Sequence, residues 1–288
     1  MPVPVDRLSA LLERFRVRAQ LFHNGPLCGV THFAAEPGRA FLHVLRRGEM
    51  VVMHRASAGP PRRVVVSEPS LLFYPRTLMH DFHNAPTDGS DFVCASLEFD
   101  GGDSHPLARA LPAMVCLPLR KVEGLGQSLA LLFAETDRVR CGHRLLADRL
   151  FEVVLLQMLR WLLDHPEEGG VSTGLLAGLS DPRLALALVA MHQNPGRLWS
   201  LLDMAQTAGM SRSAFAARFN TVVGETPAEH LVNWRLSIAK AELRNGRSIK
   251  TLAGELGYAT PSALSRAFAH KLGMSPRQWL VKWTSQTS

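Results

Sequence analysis

Arg266, in the run Ser262-Ala-Leu-Ser-Arg266-Ala-Phe268, is the side chain best suited to reading a base. A guanidinium can donate two parallel hydrogen bonds to the guanine edge in the major groove. A helix must carry it there. Leu264 and Phe268, four apart, would face a core and leave Ser262, Ser265, Arg266 and Ala269 on the opposite side. A second stretch, Ser211-Arg-Ser-Ala-Phe215-Ala-Ala-Arg-Phe219-Asn220, is built the same way. With Phe215 and Phe219 inward, Ser213, Ala216, Ala217 and Asn220 face outward. That face is small and nearly apolar, suited to thymine methyl contact and positioning rather than strong readout. Ser211 and Thr260 stand where an N-cap belongs, so both helices should begin there with free N–H groups for phosphate. Arg212, next to the first cap, joins the DNA-contacting set.

Both stretches sit in a repeated unit. Ala205-Gln-Thr-Ala-Gly209-Met210 aligns with Ala253-Gly-Glu-Leu-Gly257-Tyr258 at an offset of 48. After one inserted residue, Phe215, Phe219, Gly224, Pro227 and Leu231 fall on Leu264, Phe268, Gly273, Pro276 and Leu280. An Ala, a Gly four residues on and an apolar pair four apart meet the needs of a helix-turn-helix. The Ala lets two helices approach, the Gly takes the positive φ of the turn, and the pair anchors the second helix. Between the units, residues 228–245 read as one helix ending at Gly246, with Leu231, Trp234, Ile238 and Ala241 on one face. Such a spacer would hold two recognition helices in successive major grooves, about 34 Å apart. Arg235, Lys240, Arg244, Arg247 and Lys250 lie on or near it, either as phosphate contacts or as a solvated face.

The charge distribution agrees. Of the net +7 over 288 residues, residues 1–181 carry −1 and residues 182–288 carry +8, which suggests a polyanion-binding module attached to a neutral one. The longest apolar run, Leu184 to Met191, is eight residues, far short of the twenty or so a membrane span needs. The first residues lack a signal-peptide pattern, so the expected location is the cytoplasm.

On these motifs, residues 182–283 resemble the DNA-binding domain of the AraC/XylS family of bacterial transcription regulators. The matching residues include Ala205, Gly209, Phe215, Phe219, Gly224 and Pro227, then Arg235 and Ala239, then Ala253, Gly257, Tyr258, Leu264, Arg266, Phe268, Gly273 and Pro276. The resemblance implies a tandem helix-turn-helix protein of the bacterial nucleoid that binds double-stranded promoter DNA, usually as an activator and sometimes as a repressor, and works with RNA polymerase. It does not imply an enzyme.

The first half reads differently. Residues 3–19 show a short amphipathic helical pattern with Leu8, Leu11, Leu12 and Phe15 on one side. From 20 to 99, short β-rich runs (Phe41–Leu45, Met50–Met53, Val64–Val66, Leu71–Tyr74, Phe92–Phe99) alternate with turn clusters, the mark of a small antiparallel barrel. Helices are expected over 124–138 and 144–164. The second has an apolar stripe wide enough to pack on the barrel or to pair with a second copy in a homodimer. The fold class is therefore α+β. Residues 1–165 form a cupin-like sensor and dimerisation domain with flanking helices, Gly-rich 166–181 a linker, and 182–288 an all-α DNA-binding domain.

Pro75-x-Thr77-x-x-His80-x-x-x-Asn84 matches the second motif of cupin barrels, with Thr in the Gly position. His43-x-Leu45-x-x-x-Glu49 resembles the first motif, with Leu45 in place of a metal-binding His. This half thus resembles the cupin-type sensors of AraC-like regulators, the reactive-chlorine-responsive members in particular. That resemblance assigns redox activity to Cys28 and Cys94. A barrel mouth gathering Cys28, Cys94, His43 and His80 would suit zinc, or a thiol switch whose cysteine pKa is lowered by an imidazolium. The alternative is that the thiols are apolar fillers and His43 is a hydrogen-bonded core residue. Cys116 and Cys141 are read as structural, and His23, His32, His54, His105 and His165 as surface residues. Three functions follow: an oxidant- or electrophile-responsive regulator, a regulator induced by a small molecule in a barrel lined by Phe41, Val52, Leu72 and Phe92, or a cupin metalloenzyme with a DNA-binding tail. Leu45 argues against the last.

Overall fold

The β-rich runs of the first half pair into two antiparallel sheets. One has the order β1 (Val17–Leu27), β8 (Ser90–Phe99), β3 (Arg39–Arg47), β6 (Ser70–Tyr74) and β9 (Val115–Pro118). The other runs β2 (Val30–Phe33), β7 (His80–His83), β4 (Met50–His54) and β5 (Arg63–Val66). The computed structural model describes residues 5–55, 59–87, 89–102 and 105–287. Between the sheets lie Phe33, Phe41, Leu45, Val52, Leu72, Tyr74, Phe82, Phe92 and Cys94, all buried. The four residues expected to line the barrel are all in this core. The interior is filled by aromatic rings, with Tyr74 stacked on His80 at 3.8 Å and Phe82 on Phe92 at 5.4 Å.

Three helices accompany the sheets, α2 (Pro106–Ala110), α3 (Leu125–Thr136) and α4 (His143–Asp164). β1 ends its sheet, and its outer N–H groups would be left without partners. α4 supplies some of them: Asp148 accepts from the Leu21 N–H at 2.6 Å and Glu152 from the Ala19 N–H at 3.3 Å. Phe151, Val154, Leu155, Met158, Leu159 and Leu162 of α4 are buried, whereas Leu145, Leu146, Val153 and Leu156 are exposed. The stripe therefore splits into a packed face and an open one.

The chain divides into two units, Arg16–Ser172 and a helical unit of Met1–Phe15 with Thr173–Ser288. This partition differs from the sequence expectation at both ends. Only Ser9–Leu12 (α1) of the N-terminal pattern is helical, and β1 has begun by Val17. The buried face of that segment, Leu8, Leu11 and Phe15, belongs to the helical unit and not to the barrel. Nor is 166–181 a free linker. It contains α5 (Leu175–Ser180), whose Leu175, Leu176 and Leu179 are buried. A Cβ on Gly178 would come within 2.8 Å of the Leu188 and Val223 methyls, so glycine lets α5 lie this close without displacing them.

The helical unit continues with α6 (Leu184–Gln193), α7 (Leu201–Thr207), α8 (Arg212–Val223), α9 (Pro227–Arg244), α10 (Ile249–Glu255), α11 (Pro261–Leu272) and α12 (Pro276–Thr287). Among the described residues, no helix is long and apolar enough to cross a membrane.

Candidate nucleic-acid interface and sensor core

Each repeat folds as a helix, a tight turn and a second helix. In the first, α7 passes to α8 through Gly209 at φ +62°, and the Met210 N–H closes the turn on the Ala205 carbonyl at 2.9 Å. In the second, α10 passes to α11 through Gly257 at φ +73°, and the Tyr258 N–H bonds the Ala253 carbonyl at 2.8 Å. The alignment of Ala205 with Ala253 thus marks the carbonyl that receives the closing bond. Ser211 caps α8 by accepting from the Ala214 N–H, and Thr260 caps α11 by accepting from the Ala263 N–H. Ser200 caps α7 and Ser248 caps α10, two caps that sequence reasoning passed over although both are serines before an apolar run.

Phe215 and Phe219 are fully buried under α8, as are Leu264 and Phe268 under α11. Ser211, Arg212, Ser213, Ala217 and Asn220 are exposed on α8 or its cap. On the second unit Thr260, Ser262 and Arg266 are exposed, while Ser265 and Ala269 are half-buried. Every residue assigned to DNA contact therefore lies on an outward or partly outward face. Arg218 is held back, because its guanidinium pairs with Asp181 at 2.5 Å and that carboxylate also caps the start of α6.

The basic residues of the linking helix are more constrained than a solvated face would be. Arg235 is buried and donates to the carbonyls of Pro195 and Arg197. Arg247 bridges Glu242 at 3.1 Å and Glu255 at 2.5 Å, which occupies both arms of its guanidinium. Lys250 is exposed.

A pair of histidines faces across the core of this unit. His192 Nε2 and His230 Nε2 are 3.0 Å apart, and His230 Nδ1 lies 2.8 Å from Glu225 Oε1. In the tautomer that donates its Nδ1–H to the carboxylate, His230 Nε2 accepts from His192 Nε2–H. Burial first, and then the neighbouring His230, hold His192 well below the ordinary imidazole range.

In the sensor unit His43 and His80 repeat that arrangement, with Nε2 atoms 3.1 Å apart. His80 Nδ1 donates to the Leu78 carbonyl at 2.9 Å, so His80 Nε2 accepts from His43 Nε2. His43 Nδ1 is then an unprotonated acceptor, fully buried and without a hydrogen-bond partner. Burial is the main cause that lowers His80 to about 4 and His43 well below its usual range. Cys94 stands opposite His43 in the β3–β8 register, but it too is fully buried, and burial raises its thiol pKa well above normal.

Cys28 does not join them. It follows Leu27, which pairs with Ser90, so it stands beside Gly89 and Cys94 lies five residues further along β8. At about 3.3 Å per residue that offset is about 16 Å, more than twice the Cα separation a disulfide tolerates. Cys28 is exposed, and its Sγ packs on Gly89 and lies 3.8 Å from the Thr87 carbonyl. Among the described residues, no three His, Cys, Asp or Glu side chains are gathered to hold a metal. Glu49 of the first cupin motif is exposed as well. The set Cys28, Cys94, His43 and His80 therefore does not fit tetrahedral zinc. His54 and His105, expected at the surface, are buried: His54 bonds the Tyr74 hydroxyl at 3.0 Å and His105 caps the Pro106–Ala110 turn of helix.

A cupin family profile matches residues 6–164, and a helix-turn-helix domain profile matches residues 204–282. A putative AraC-like transcription regulator of Streptomyces lividans is 42% identical over 230 residues, covering 72% of this chain and 75% of that protein. The RCS-specific HTH-type transcriptional activator RclR of Escherichia coli K12 is 24% identical over 215 residues, 73% of this chain and 74% of its own. Of solved structures, ToxT from Vibrio cholerae O395 aligns over 93% of this chain and 98% of its own, at 12% identity and a TM-score of 0.39.

Proposed function

Because the chain belongs to the AraC-type transcription regulators with an N-terminal cupin domain, and is a DNA-binding regulator rather than an enzyme, we propose that both of its helix-turn-helix units engage promoter DNA together. The observation that carries this reading is the matched pair of capped helices, α8 and α11, each turned outward by a positive-φ glycine over a buried aromatic anchor. α11 reads sequence through Arg266, with Ser262 and Ser265 beside it. α8 positions the unit through Ser213, Ala217 and Asn220. Free N–H groups behind Ser211 and Thr260 take phosphate oxygens. Arg266→Ala should weaken binding to the best duplex by about 1–3 kcal/mol and flatten preference at one base position. Binding titrations on that duplex and on randomised DNA check it. An equal loss on both would move Arg266 from the base edge to the backbone.

The sensor unit responds to an oxidant or electrophile at Cys28, and Cys94 serves packing. An exposed thiol can reach a soluble oxidant, whereas Cys94 is sealed in the core and kept protonated by burial. Oxidation of Cys28 to a sulfenic acid adds an oxygen to a sulfur that lies against Gly89 and the Thr87 carbonyl. The adjoining Gly29 N–H bonds the Ala85 carbonyl and the Asn84 N–H bonds the Gly29 carbonyl, so the added bulk bears on the end of β7, the strand that holds His80. Cys28→Ser should therefore abolish oxidant-dependent reporter expression, and Cys94→Ala should preserve it. A response that survives Cys28→Ser would favour an inducer instead. A cleft of about 420 Å³ between Pro60, Val64, Met114 and Cys116 is the place for a small apolar one. The open face of α4, carrying Leu145, Leu146, Val153 and Leu156, is the surface for a homodimer, and RNA polymerase is the partner at the promoter.

A further inference from the structure

Arg235 lies midway along α9 and is 9% exposed, yet no carboxylate is among its hydrogen-bond partners. Its Nε donates to the Pro195 carbonyl at 2.7 Å and Nη2 to the Arg197 carbonyl at 2.9 Å. The guanidinium carbon is 5.5 Å from the centroid of the Tyr258 ring. Residues 195–197 belong to the loop that enters the first helix-turn-helix, and Tyr258 to the turn of the second. One side chain on the linking helix therefore touches both units. Burying a guanidinium without a counter-ion is costly, and two carbonyls and a ring face offset that cost only in a fixed geometry.

The two units also meet directly through backbone. A Cβ on Gly257 would lie 2.5 Å from the Gly196 carbonyl oxygen and 2.8 Å from Arg235 Nη2. A Cβ on Gly196 would collide with the Glu255 carbonyl oxygen. The entry loop of the first unit thus seats on the turn of the second with no side chain between them. α9 alone joins its neighbours through single turns at Thr226 and Gly246, the latter at φ +82°, where small rotations would swing α11 against α8.

We propose that Arg235, with Gly196, Gly257 and the ring of Tyr258, forms a latch that fixes the distance and phase between α8 and α11 and so sets the half-site spacing the chain accepts. Arg235 is a positioning residue and touches no base. One inserted base pair moves a half-site by about 3.4 Å and turns it by about 35°, so a latched pair of helices discriminates strongly between spacings. The proposal rests on the reading that both units bind DNA at once.

The test uses the intact chain and duplexes it selects from a randomised pool, with one or two base pairs then inserted or removed between the half-sites. The wild type should lose about tenfold or more in affinity on a shifted duplex, a loss comparable to that from a mismatched base pair. Arg235→Lys loses the planar fork, Gly196→Ala pries the loop from the turn without changing a charge, and Tyr258→Leu removes the ring face. In these variants the penalty should fall to within about threefold, with binding to an isolated half-site and the salt dependence unchanged. A general loss of folding would weaken isolated half-sites too, and if Arg235→Lys fails to fold, the other two variants carry the test. Variants that keep the wild-type spacing penalty would overturn the latch. A wild type that occupies only one half-site would overturn the two-unit reading, and the latch with it.

Discussion

Phe15→Ala should lower the stability of the helical unit by about 3–5 kcal/mol and leave the barrel unaffected, although Phe15 immediately precedes the barrel in sequence. Its side chain is 2% exposed and meets Trp234 edge to face at 5.2 Å. Trp234 stacks on His192 at 3.8 Å, His192 faces His230, and His230 meets Phe219 of the recognition helix α8 at 5.6 Å. Phe15 therefore belongs to a continuous row of rings that reaches α8. Truncation leaves a cavity that the surrounding helices close only in part, and the rings behind it lose their edge contact. Calorimetry of the intact chain, with the two units melting as separate transitions, reads the effect as a shift of the helical transition alone. DNA affinity should fall with it near the new midpoint. A shift of the barrel transition, or none, would return the N-terminal segment to the sensor.

Lowering the pH from 7.5 to 5 should destabilise both units, and again the cause is buried imidazole. A histidine held neutral in the fold takes up its proton more readily when unfolded, so the unfolded chain gains protons first as the pH drops through about 6.5. The contribution of such a group is full above that pH and is lost progressively towards its folded value. For His80, whose folded value is about 4, the loss at pH 5 is about 2 kcal/mol. His43 shifts in the same direction within the barrel, and His192 does so in the helical unit. The carboxylates nearest these groups, Asp81 and Glu225, are held below their usual range, so they stay ionised over this interval. Thermal unfolding at the two pH values checks the expectation. Equal midpoints at pH 7.5 and 5 would mean that the imidazoles are hydrated and not sealed.

The helical unit was legible because its signals are local. A cap acts within three residues, a turn glycine at one, and an apolar pair four apart on one face. Ser211, Thr260, Gly209, Gly257, Phe215 and Phe268 therefore announced their roles before any packing was known. The pattern of residues 3–19 predicts one apolar side, and Leu8, Leu11 and Phe15 of that side are buried, although only Ser9–Leu12 is helical. What that face buries against is set by residues more than two hundred positions away, such as Trp234, and no local rule reaches that far. β1 was missed for the same reason. Its burial alternates weakly, Gly25 and Pro26 interrupt it, and it is a strand because β8 pairs with it. Charge was the least legible property. Arg235 and Arg247 look on paper like phosphate contacts, yet carbonyls of one loop capture the first and two glutamates the second. The cysteines follow the same rule. Sequence named Cys28 and Cys94, but strand register decides whether two thiols meet, and here a five-residue offset along β8 puts one on the surface and seals the other beside His43.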